Sequence, residues 1–288
     1  MNPREHFLAA CALDVAVRKP GNVSAASPGH GMDAALFLDS AAAAQQGLFE
    51  PGARVGARIE VAVKATLAVA GCNTNLGIVL LCAPLAAAWE RAGAGAGTAA
   101  LHAALQQVLD QLDVDDARAA YRAIAAARPG GLGRADAQDV AAAPSVTLRE
   151  AMALAADRDR IARQYARGYD DLFGTGLAAL AARGRPGGPA LADAATVQAL
   201  YLAFLGRFPD AHIVRKYGLA TAQAVTDEAA PWLARAERGE PVGDDPAFAA
   251  WDESLKARGL NPGTSADLTV ASLFLAGTLG RLRPVTSP

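Results

Sequence analysis

Apolar residues along this chain recur at the spacing of helix faces, and polar residues interrupt them at short intervals. Ala, Leu, Arg, Glu and Gln, which favour helices, dominate, whereas alternating runs of Val, Ile, Thr and aromatic residues are nearly absent. Capping and helix-breaking residues set the limits of each element. The predicted helices cover residues 2–18, 33–47, 53–69, 76–89, 101–112, 115–127, 147–173, 193–208, 221–238, 246–258 and 265–282. The pattern predicts an all-α protein.

The connections between these helices are short, and no internal repeat is evident. Glycine-rich turns are expected at residues 92–97, 128–133 and 183–189. We therefore predict a single multi-helix globular domain over residues 1–288.

The segment at residues 71–77, with the sequence Gly-Cys-Asn-Thr-Asn-Leu-Gly, directly precedes the apolar run 78–88. The first turn of a helix exposes unpaired N–H groups with partial positive charge, which can hold an anion such as phosphate. Asn73, Thr74, Asn75 and Gly77 are the candidate ligands. The alternative is that one of the three polar residues only caps the helix.

Composition limits the classes of partner. The chain has 288 residues, 52% of them hydrophobic, and a net charge of −2, so no overall positive field attracts nucleic acid. Three cysteines without Cys-x-x-Cys spacing argue against a disulfide framework and a structural zinc site. The N-terminal stretch lacks the apolar run of a secretory signal, and the 78–88 run is too short for a membrane span. We expect a cytoplasmic protein that binds neither nucleic acid nor membrane.

A second polar segment, residues 19–24, has the sequence Lys-Pro-Gly-Asn-Val-Ser and is followed by Asp33. Lys19 has the charge to neutralise a phosphate, Asn22 can hydrogen-bond a sugar or phosphate, and Asp33 can hold a cation. The alternative is a helix stop followed by a helix that Asp33 caps.

The glycine cluster at residues 130–133 permits close approach of a ligand to the backbone, but an ordinary turn is the favoured interpretation. Asp157 and Asp159, in the predicted helix 147–173, are interpreted as part of a solvated face paired with nearby arginines.

The densest polar cluster lies at residues 209–218. Arg215 and Lys216 can bind a polyphosphate, while Asp210 or His212 handles a proton or a metal. A short helix capped by Asp210, with basic residues at its C-terminal end, is the structural alternative.

A polar turn at residues 261–268 again feeds an apolar helix and contains Gly263, Thr264, Ser265 and Asp267. Thr264 and Asp267 have nearly the spacing of a capping pair. If this helix start and the one at residues 71–77 converge with Lys19, Arg215 and Lys216, they form a nucleotide site for a triphosphate.

Four of these motifs, in this order, resemble those of the triphosphoribosyl-dephospho-CoA synthase family. The motifs are residues 19–22, 73–77, 210–216 and 262–268. The chain departs from the citrate-lyase branch at Asn75-Leu76, where that branch has His-Lys, and at Thr264, where it has glycine. Residues 130–140 and 147–173 look more like the divergent branch of archaea and methylotrophic bacteria.

The resemblance implies transfer of the 5-triphosphoribosyl group of ATP to the 2′-hydroxyl of 3′-dephospho-CoA, or another hydroxyl-bearing acceptor, with release of adenine. Mg²⁺ is the implied cofactor, and a possible homodimer is a further expectation. Related one-carbon cofactor chemistry (tetrahydromethanopterin or methanofuran type) and a noncatalytic nucleotide-binding protein are the alternatives.

The roles that follow from the resemblance fall into three groups. Asp210, His212 and Asp267 are the catalytic candidates, and Asp33, Asp210 and Asp267 are the metal ligands. The substrate and phosphate ligands are Lys19, Asn22, Asn73, Thr74, Asn75, Gly77, Arg215, Lys216, Gly263, Thr264 and Ser265.

Overall fold

The computed structural model describes residues 2–184 and 188–283. These residues contain fourteen α-helices: α1 Pro3–Ala16, α2 Ala34–Leu48, α3 Val55–Ala70, α4 Leu76–Ala92, α5 Thr98–Asp110, α6 Val114–Ala127, α7 Leu148–Ala153, α8 Arg160–Arg167, α9 Leu177–Arg183, α10 Ala194–Leu205, α11 Ala211–Tyr217, α12 Leu219–Glu237, α13 Pro246–Ala257 and α14 Gly263–Thr278. The predicted all-α class is confirmed. Residues 185–187 of the predicted 183–189 turn lie outside the described residues.

Helix starts follow the expected chemistry. Capping boxes begin α1 at Asn2, α6 at Asp113 and α7 at Thr147. In each, the side chain of the cap accepts the backbone N–H of the third helical residue, and the side chain of that residue accepts the backbone N–H of the cap. Such caps satisfy N–H groups that have no partner within the helix.

Two helices form the centre of the protein. Every residue of α10 from Thr196 to Leu205 is buried, and α14 is buried from Thr264 to Gly277 apart from Asp267. Both helices contribute to the larger hydrophobic cluster around α1–α6 and to the smaller one around α12 and α13. A helix with apolar residues on all sides belongs in such a position.

The apolar run after residues 71–77 is helix α4, which packs against α3, α5 and α14 and contains Pro84. The only strands among the described residues are β1 Ala190–Leu191 and β2 Leu282–Arg283, which pair in parallel. No helix in residues 2–184 or 188–283 is both long and apolar enough to cross a bilayer.

The predicted single helix over residues 147–173 is wrong. It is divided into α7, a turn, α8 and a π-helical segment, Leu172–Gly176, that leads into α9. Asp159 causes the break, because its Oδ1 accepts the N–H groups of Ile161 and Ala162 and thereby begins a new helix. Gly168, with φ of +66°, ends α8 in the left-handed conformation.

Candidate active site

A cavity of about 460 Å³ lies where the N-terminal turns of α4, α8, α11 and α14 approach one another. Its polar side includes Asp14, Asn73, His212 and Asp267, and another part of its lining comes from α6, the α7–α8 turn and residues 129–140. A concave site with convergent polar groups and an apolar wall is typical of a small-molecule site. The helix starts at residues 71–77 and 261–268 meet at this cavity, as predicted, and Arg215 lines it as well, whereas Lys19 and Lys216 do not.

The polar residues of the 71–77 segment have separate roles. Asn73 Oδ1 accepts the N–H of Leu76 at 3.1 Å, so Asn73 caps α4 while lining the cavity. Thr74 also lines the cavity, and its hydroxyl donates to Ser40 at 2.7 Å. Asn75 lies behind them, buried, and accepts a hydrogen bond from Thr66. Of the three predicted ligands, Asn73 and Thr74 therefore reach the cavity and Asn75 does not.

Asp267 lies in the second turn of α14, against the first turn of α4. A Cβ atom placed on Gly77 would lie 2.0 Å from its Oδ2, so the absence of a side chain at Gly77 makes room for this carboxyl group. Asp267 lines the cavity and accepts no hydrogen bond from the described residues. Because α14 begins at Gly263, Asp267 does not cap the helix with Thr264.

The electrostatic surroundings of Asp267 disfavour its ionised form. Burial, reinforced by the carboxylates of Asp210, Asp14 and Asp159, raises the pKa of Asp267 well above its ordinary value, and Arg215 only partly opposes this. A cation bound in the cavity would reverse this effect, because it would favour the ionised form of Asp267 and balance the nearby carboxylates. The raised pKa is a strong indication of a functional residue.

Asp210 does not reach the cavity, which corrects its prediction as a catalytic residue and metal ligand. Its Oδ1 accepts the N–H groups of His212 and Ile213 at 2.9 and 3.3 Å, and its Oδ2 accepts the N–H and hydroxyl of Ser265 at 2.7 and 2.8 Å. Four donors occupy the two oxygens of a buried carboxylate. Asp210 therefore caps α11 and fixes that helix to the start of α14.

Ser265 is consequently a structural partner of Asp210, and Thr264 is buried outside the cavity. Gly263 lines the cavity beside His212, whose ring nitrogen Nδ1 would lie 2.9 Å from a Cβ at this position. Of the three polar-turn residues predicted to bind substrate, only Gly263 lies where a ligand could contact it.

His212 lines the cavity from the first turn of α11. Burial, with the positive charges of Arg215 and Lys216, lowers the pKa of His212 to about 3. The imidazole is therefore neutral at physiological pH. It can exchange hydrogen bonds with a substrate, but it does not supply the positive charge that a phosphate contact would need.

The two basic residues of α11 differ in their surroundings. Arg215 lines the cavity and donates to Asp159 Oδ2 at 2.5 Å, so its charge is balanced by the residue that caps α8. Lys216 is exposed and forms no ion pair in the described part of the chain. Asp159 lines the cavity but is not among the predicted site residues, because the sequence indicated a solvated surface there. Its position as a helix cap before Ile161 could have indicated that a helix starts here.

Lys19 is not available to bind phosphate. Its side chain is completely buried, and its Nζ lies 3.2 Å from Asp14 Oδ1 and contacts the backbone carbonyl groups of Asp14, Val17 and Val23. Asn22 does line the cavity, where its amide donates to Asn261 at 2.9 Å. The prediction failed for Lys19 because the sequence did not indicate that α1 places a carboxylate beside it.

Asp33 caps α2 by accepting the N–H of Leu36 at 2.9 Å, and it lies on a shallow surface groove rather than in the cavity. Its predicted role as a metal ligand shared with Asp267 is therefore wrong. Within the described residues, no cluster of three or more His, Cys, Asp or Glu side chains is arranged to hold a metal ion.

The glycine turn at residues 130–133 forms part of the cavity rather than an unrelated surface turn. Gly131 has φ of +74°, and a Cβ there would lie 2.7 Å from the carbonyl oxygen of Arg215. Glycine is required because the turn packs directly on the backbone of α11. This contact connects the loop side of the cavity to the helix that carries His212.

Replacing Gly77 with alanine tests the packing of Asp267 on α4. We expect Gly77→Ala to lose most catalytic activity, because the new methyl group must displace the Asp267 carboxyl group, while the favourable helix propensity of alanine, worth about 1 kcal/mol, limits the loss of stability. Steady-state rates and thermal unfolding midpoints measure the two effects. Gly174→Ala, where a Cβ meets no atom within 4 Å, is the matched control. Full activity of Gly77→Ala would contradict the assignment of Asp267 to the site.

Comparisons with known proteins identify the family. The model of the ATP:dephospho-CoA triphosphoribosyl transferase family matches residues 2–284. The fold is similar, with a TM-score of 0.62 and 25% sequence identity, to a crystal structure from Archaeoglobus fulgidus provisionally described as a triphosphoribosyl-dephospho-CoA synthase; the similarity covers 85% of this chain and 99% of that one. No curated protein matches in sequence. Because the family model spans nearly the whole chain, the protein belongs to the ATP:dephospho-CoA triphosphoribosyl transferase family and is a transferase.

Proposed function

We propose that the protein transfers the 5-triphosphoribosyl group of ATP to the 2′-hydroxyl of 3′-dephospho-CoA and releases adenine. Family membership supports this activity, and the observation that carries the proposal for the site is the position of Asp267. Its carboxyl group, without a hydrogen-bond donor, lies at the first turn of α4 in a cavity shared with His212 and Arg215.

The reaction makes three demands on such a site. Cleavage of the bond between ribose and adenine passes through a state with positive charge on the sugar carbon, which nearby carboxylates stabilise. The acceptor hydroxyl must lose a proton, and the departing adenine must be accommodated. The carboxylates on the polar side of the cavity meet the first demand, and the neutral imidazole of His212 is suited to hydrogen-bond the adenine or the ribose.

The triphosphate is proposed to bind at the start of α4. Asn73, Thr74 and Gly77 line the cavity at this turn, and helix starts favour negative charge. Lys216 and Arg215 supply positive charge from α11, Lys216 being the one without a carboxylate partner among the described residues. Lys19 has no part in this assignment.

Mg²⁺ is proposed as the cofactor, with Asp267 as its protein ligand. Mg²⁺ in phosphate sites is commonly held by one or two carboxylates together with phosphate oxygens and water, so a preformed cluster of three protein ligands is not required. Asp267 fits because both of its oxygens lack hydrogen-bond donors in the described part of the chain. When bound, the ion would neutralise and orient the triphosphate.

The direct test is incubation of the purified protein with ATP, Mg²⁺ and 3′-dephospho-CoA, followed by chromatography for adenine and mass spectrometry for the adduct. We expect adenine and the triphosphoribosyl adduct in equal amounts, and neither product when the acceptor is omitted. 2′-Deoxy-dephospho-CoA, which lacks the attacking hydroxyl group, is the matched control. Release of ADP or AMP in place of adenine, or adenine release that ignores the acceptor, would contradict the proposal.

A further inference from the structure

One carboxylate on the polar side of the cavity has so far been considered only for its negative charge. Asp14, in the last turn of α1, lines the cavity with only 4% of its surface exposed. Its side-chain oxygens accept no hydrogen bond from a backbone N–H or hydroxyl in the described residues, and its single close partner is Lys19 Nζ at 3.2 Å. Asp14 thus has one cation on its buried side and the cavity on the other.

The loop that carries Lys19 is held in place from several directions. Tyr201 donates to the carbonyl of Pro20 at 2.7 Å, the N–H of Gly21 donates to the buried Asp252 at 2.9 Å, and Asn22 bonds Asn261. A Cβ on Gly21 would lie 2.7 Å from Pro262, which leads into α14. These contacts fix the ammonium group of Lys19 behind Asp14 and align the loop with the helix that bears Asp267.

A buried ion pair is expensive, since removing two charges from water often costs more than their attraction returns. Of the five aspartates with less than a tenth of their surface exposed among the described residues, Asp14 lines the cavity, whereas Asp116, Asp171, Asp210 and Asp252 do not. Asp210 and Asp252 each accept bonds from backbone N–H groups, and neither lines the cavity. Asp210 and Asp252 therefore cap a helix and hold a loop in place, respectively, whereas Asp14 has neither of these structural roles.

The reaction requires a base for the acceptor hydroxyl. Of the sequence-based candidates for the base, Asp210 is fully occupied by its four donors, and Asp267 is assigned to the cation. We propose that Asp14 is the general base and that Lys19 is a positioning residue that keeps it oriented and ionised. This inference rests on the proposed function. In the step, the acceptor oxygen bonds to the sugar carbon as the hydroxyl proton passes to Asp14, and the bond from that carbon to adenine breaks with its electron pair going to adenine. Adenine takes up a proton from water and leaves as the neutral base, and Asp14 later releases its proton to water.

The electrostatics agree with this assignment. Burial raises the pKa of Asp14 above its ordinary value, and Lys19 opposes that rise by its charge and its hydrogen bond. Burial makes this carboxylate a stronger proton acceptor than an exposed aspartate, and the adjacent ammonium group favours its ionised form. The other titratable groups around Asp14 are Asp267, Cys11 and Tyr201.

Two variants separate a base from a structural ion pair. Asp14→Ala removes the carboxylate and leaves space beside Lys19 for formate. We expect kcat for adduct formation to fall about 10²–10⁴-fold, with little change in KM for ATP, and added formate to restore part of the rate. The double variant Asp14→Asn with Lys19→Met removes both charges, so it avoids an unpaired buried cation and is expected to fold but to remain inactive. Asp116→Asn, an equally buried aspartate outside the cavity, is the control for burial.

The outcomes are distinct. If the wild type forms no adduct, the proposed function fails and the base fails with it, because the proton donor is the acceptor hydroxyl. If the wild type is active and the double variant retains wild-type kcat, Asp14 is not the base. The inference would also be overturned if the double variant lost activity only in proportion to its fall in unfolding midpoint, as is expected for Asp116→Asn. Loss of kcat in the folded double variant, with formate rescue of Asp14→Ala, supports it.

Discussion

Asp267→Asn is expected to reduce adduct formation about 10²–10⁴-fold and, at neutral pH without Mg²⁺, to make the protein more stable than the wild type. The loss of activity follows from removing the proposed ligand of the cation, an interaction worth several kcal/mol in the transition state. The gain in stability follows from removing a buried acidic group that has no hydrogen-bond donor among the described residues and lies near Asp210, Asp14 and Asp159.

The pH dependence of that gain has a defined sign. The pKa of Asp267 is higher in the folded protein than in the unfolded chain, so the folded state holds this proton more tightly. The contribution of Asp267 to folding is therefore favourable below the ordinary pKa of aspartate and is lost as pH rises through the folded pKa. Asparagine does not titrate, so the variant and the wild type should have similar stability near pH 4 and diverge as pH increases.

Thermal unfolding in EDTA between pH 4 and 8, together with rates at saturating Mg²⁺, measures both effects. Asp33→Asn is the matched control, because Asp33 was the other sequence-based metal candidate and only caps α2 on the surface. It should keep wild-type activity. An Asp267→Asn enzyme with wild-type kcat would place the chemistry elsewhere in the cavity.

Asp210→Ala is expected to lower the free energy of unfolding by about 3 kcal/mol or more, because it leaves four donors of α11 and α14 without their acceptor. Each buried donor without a partner costs roughly 1–3 kcal/mol, although some will find other partners. Ser265→Ala removes one of the four donors and should cost only about 1 kcal/mol. Denaturant titrations of the two variants measure this difference.

The result for Asp210 also distinguishes a structural residue from a catalytic one. Activity of Asp210→Ala should fall in parallel with its stability, since α11 and His212 lose their anchor. A variant that unfolds at the wild-type denaturant concentration but has no activity would show that Asp210 acts in the chemistry, contrary to its four hydrogen bonds.

The helical class and most helix limits could be predicted from local signals, because caps, glycines and apolar spacing act within a few residues. Asn2 and Thr147 begin helices as predicted, whereas α6 begins one residue before its predicted start and is capped by Asp113. The predicted helix at residues 147–173 failed for the same local reason: Asp159 begins a new helix more favourably than it continues the old one.

The residues of the site were harder to predict, because the same type of side chain can either stabilise the fold or bind a ligand. Asp210 caps α11, and Asp267 lies in the second turn of α14. Ser265, 55 residues from Asp210 in sequence, donates a hydrogen bond to the Asp210 carboxylate, so Asp210 is not free to bind a ligand. Lys19 does not bind phosphate because it forms an ion pair with Asp14, which lies five residues earlier in an otherwise apolar turn of α1. Which polar groups find partners within the protein depends on tertiary contacts that no local pattern contains.

The parts of the cavity lining differ in how easily their residues can be substituted. Asp267 is carried by α14, which is packed into both hydrophobic clusters, so moving its carboxyl group requires repacking the centre of the protein. Another part of the lining comes from the loop at residues 129–140, where exposed positions that do not pack on α11, unlike Gly131, tolerate substitution more easily. We therefore expect the exposed positions of this loop to vary among homologues more than the positions of α14 that hold Asp267 in place.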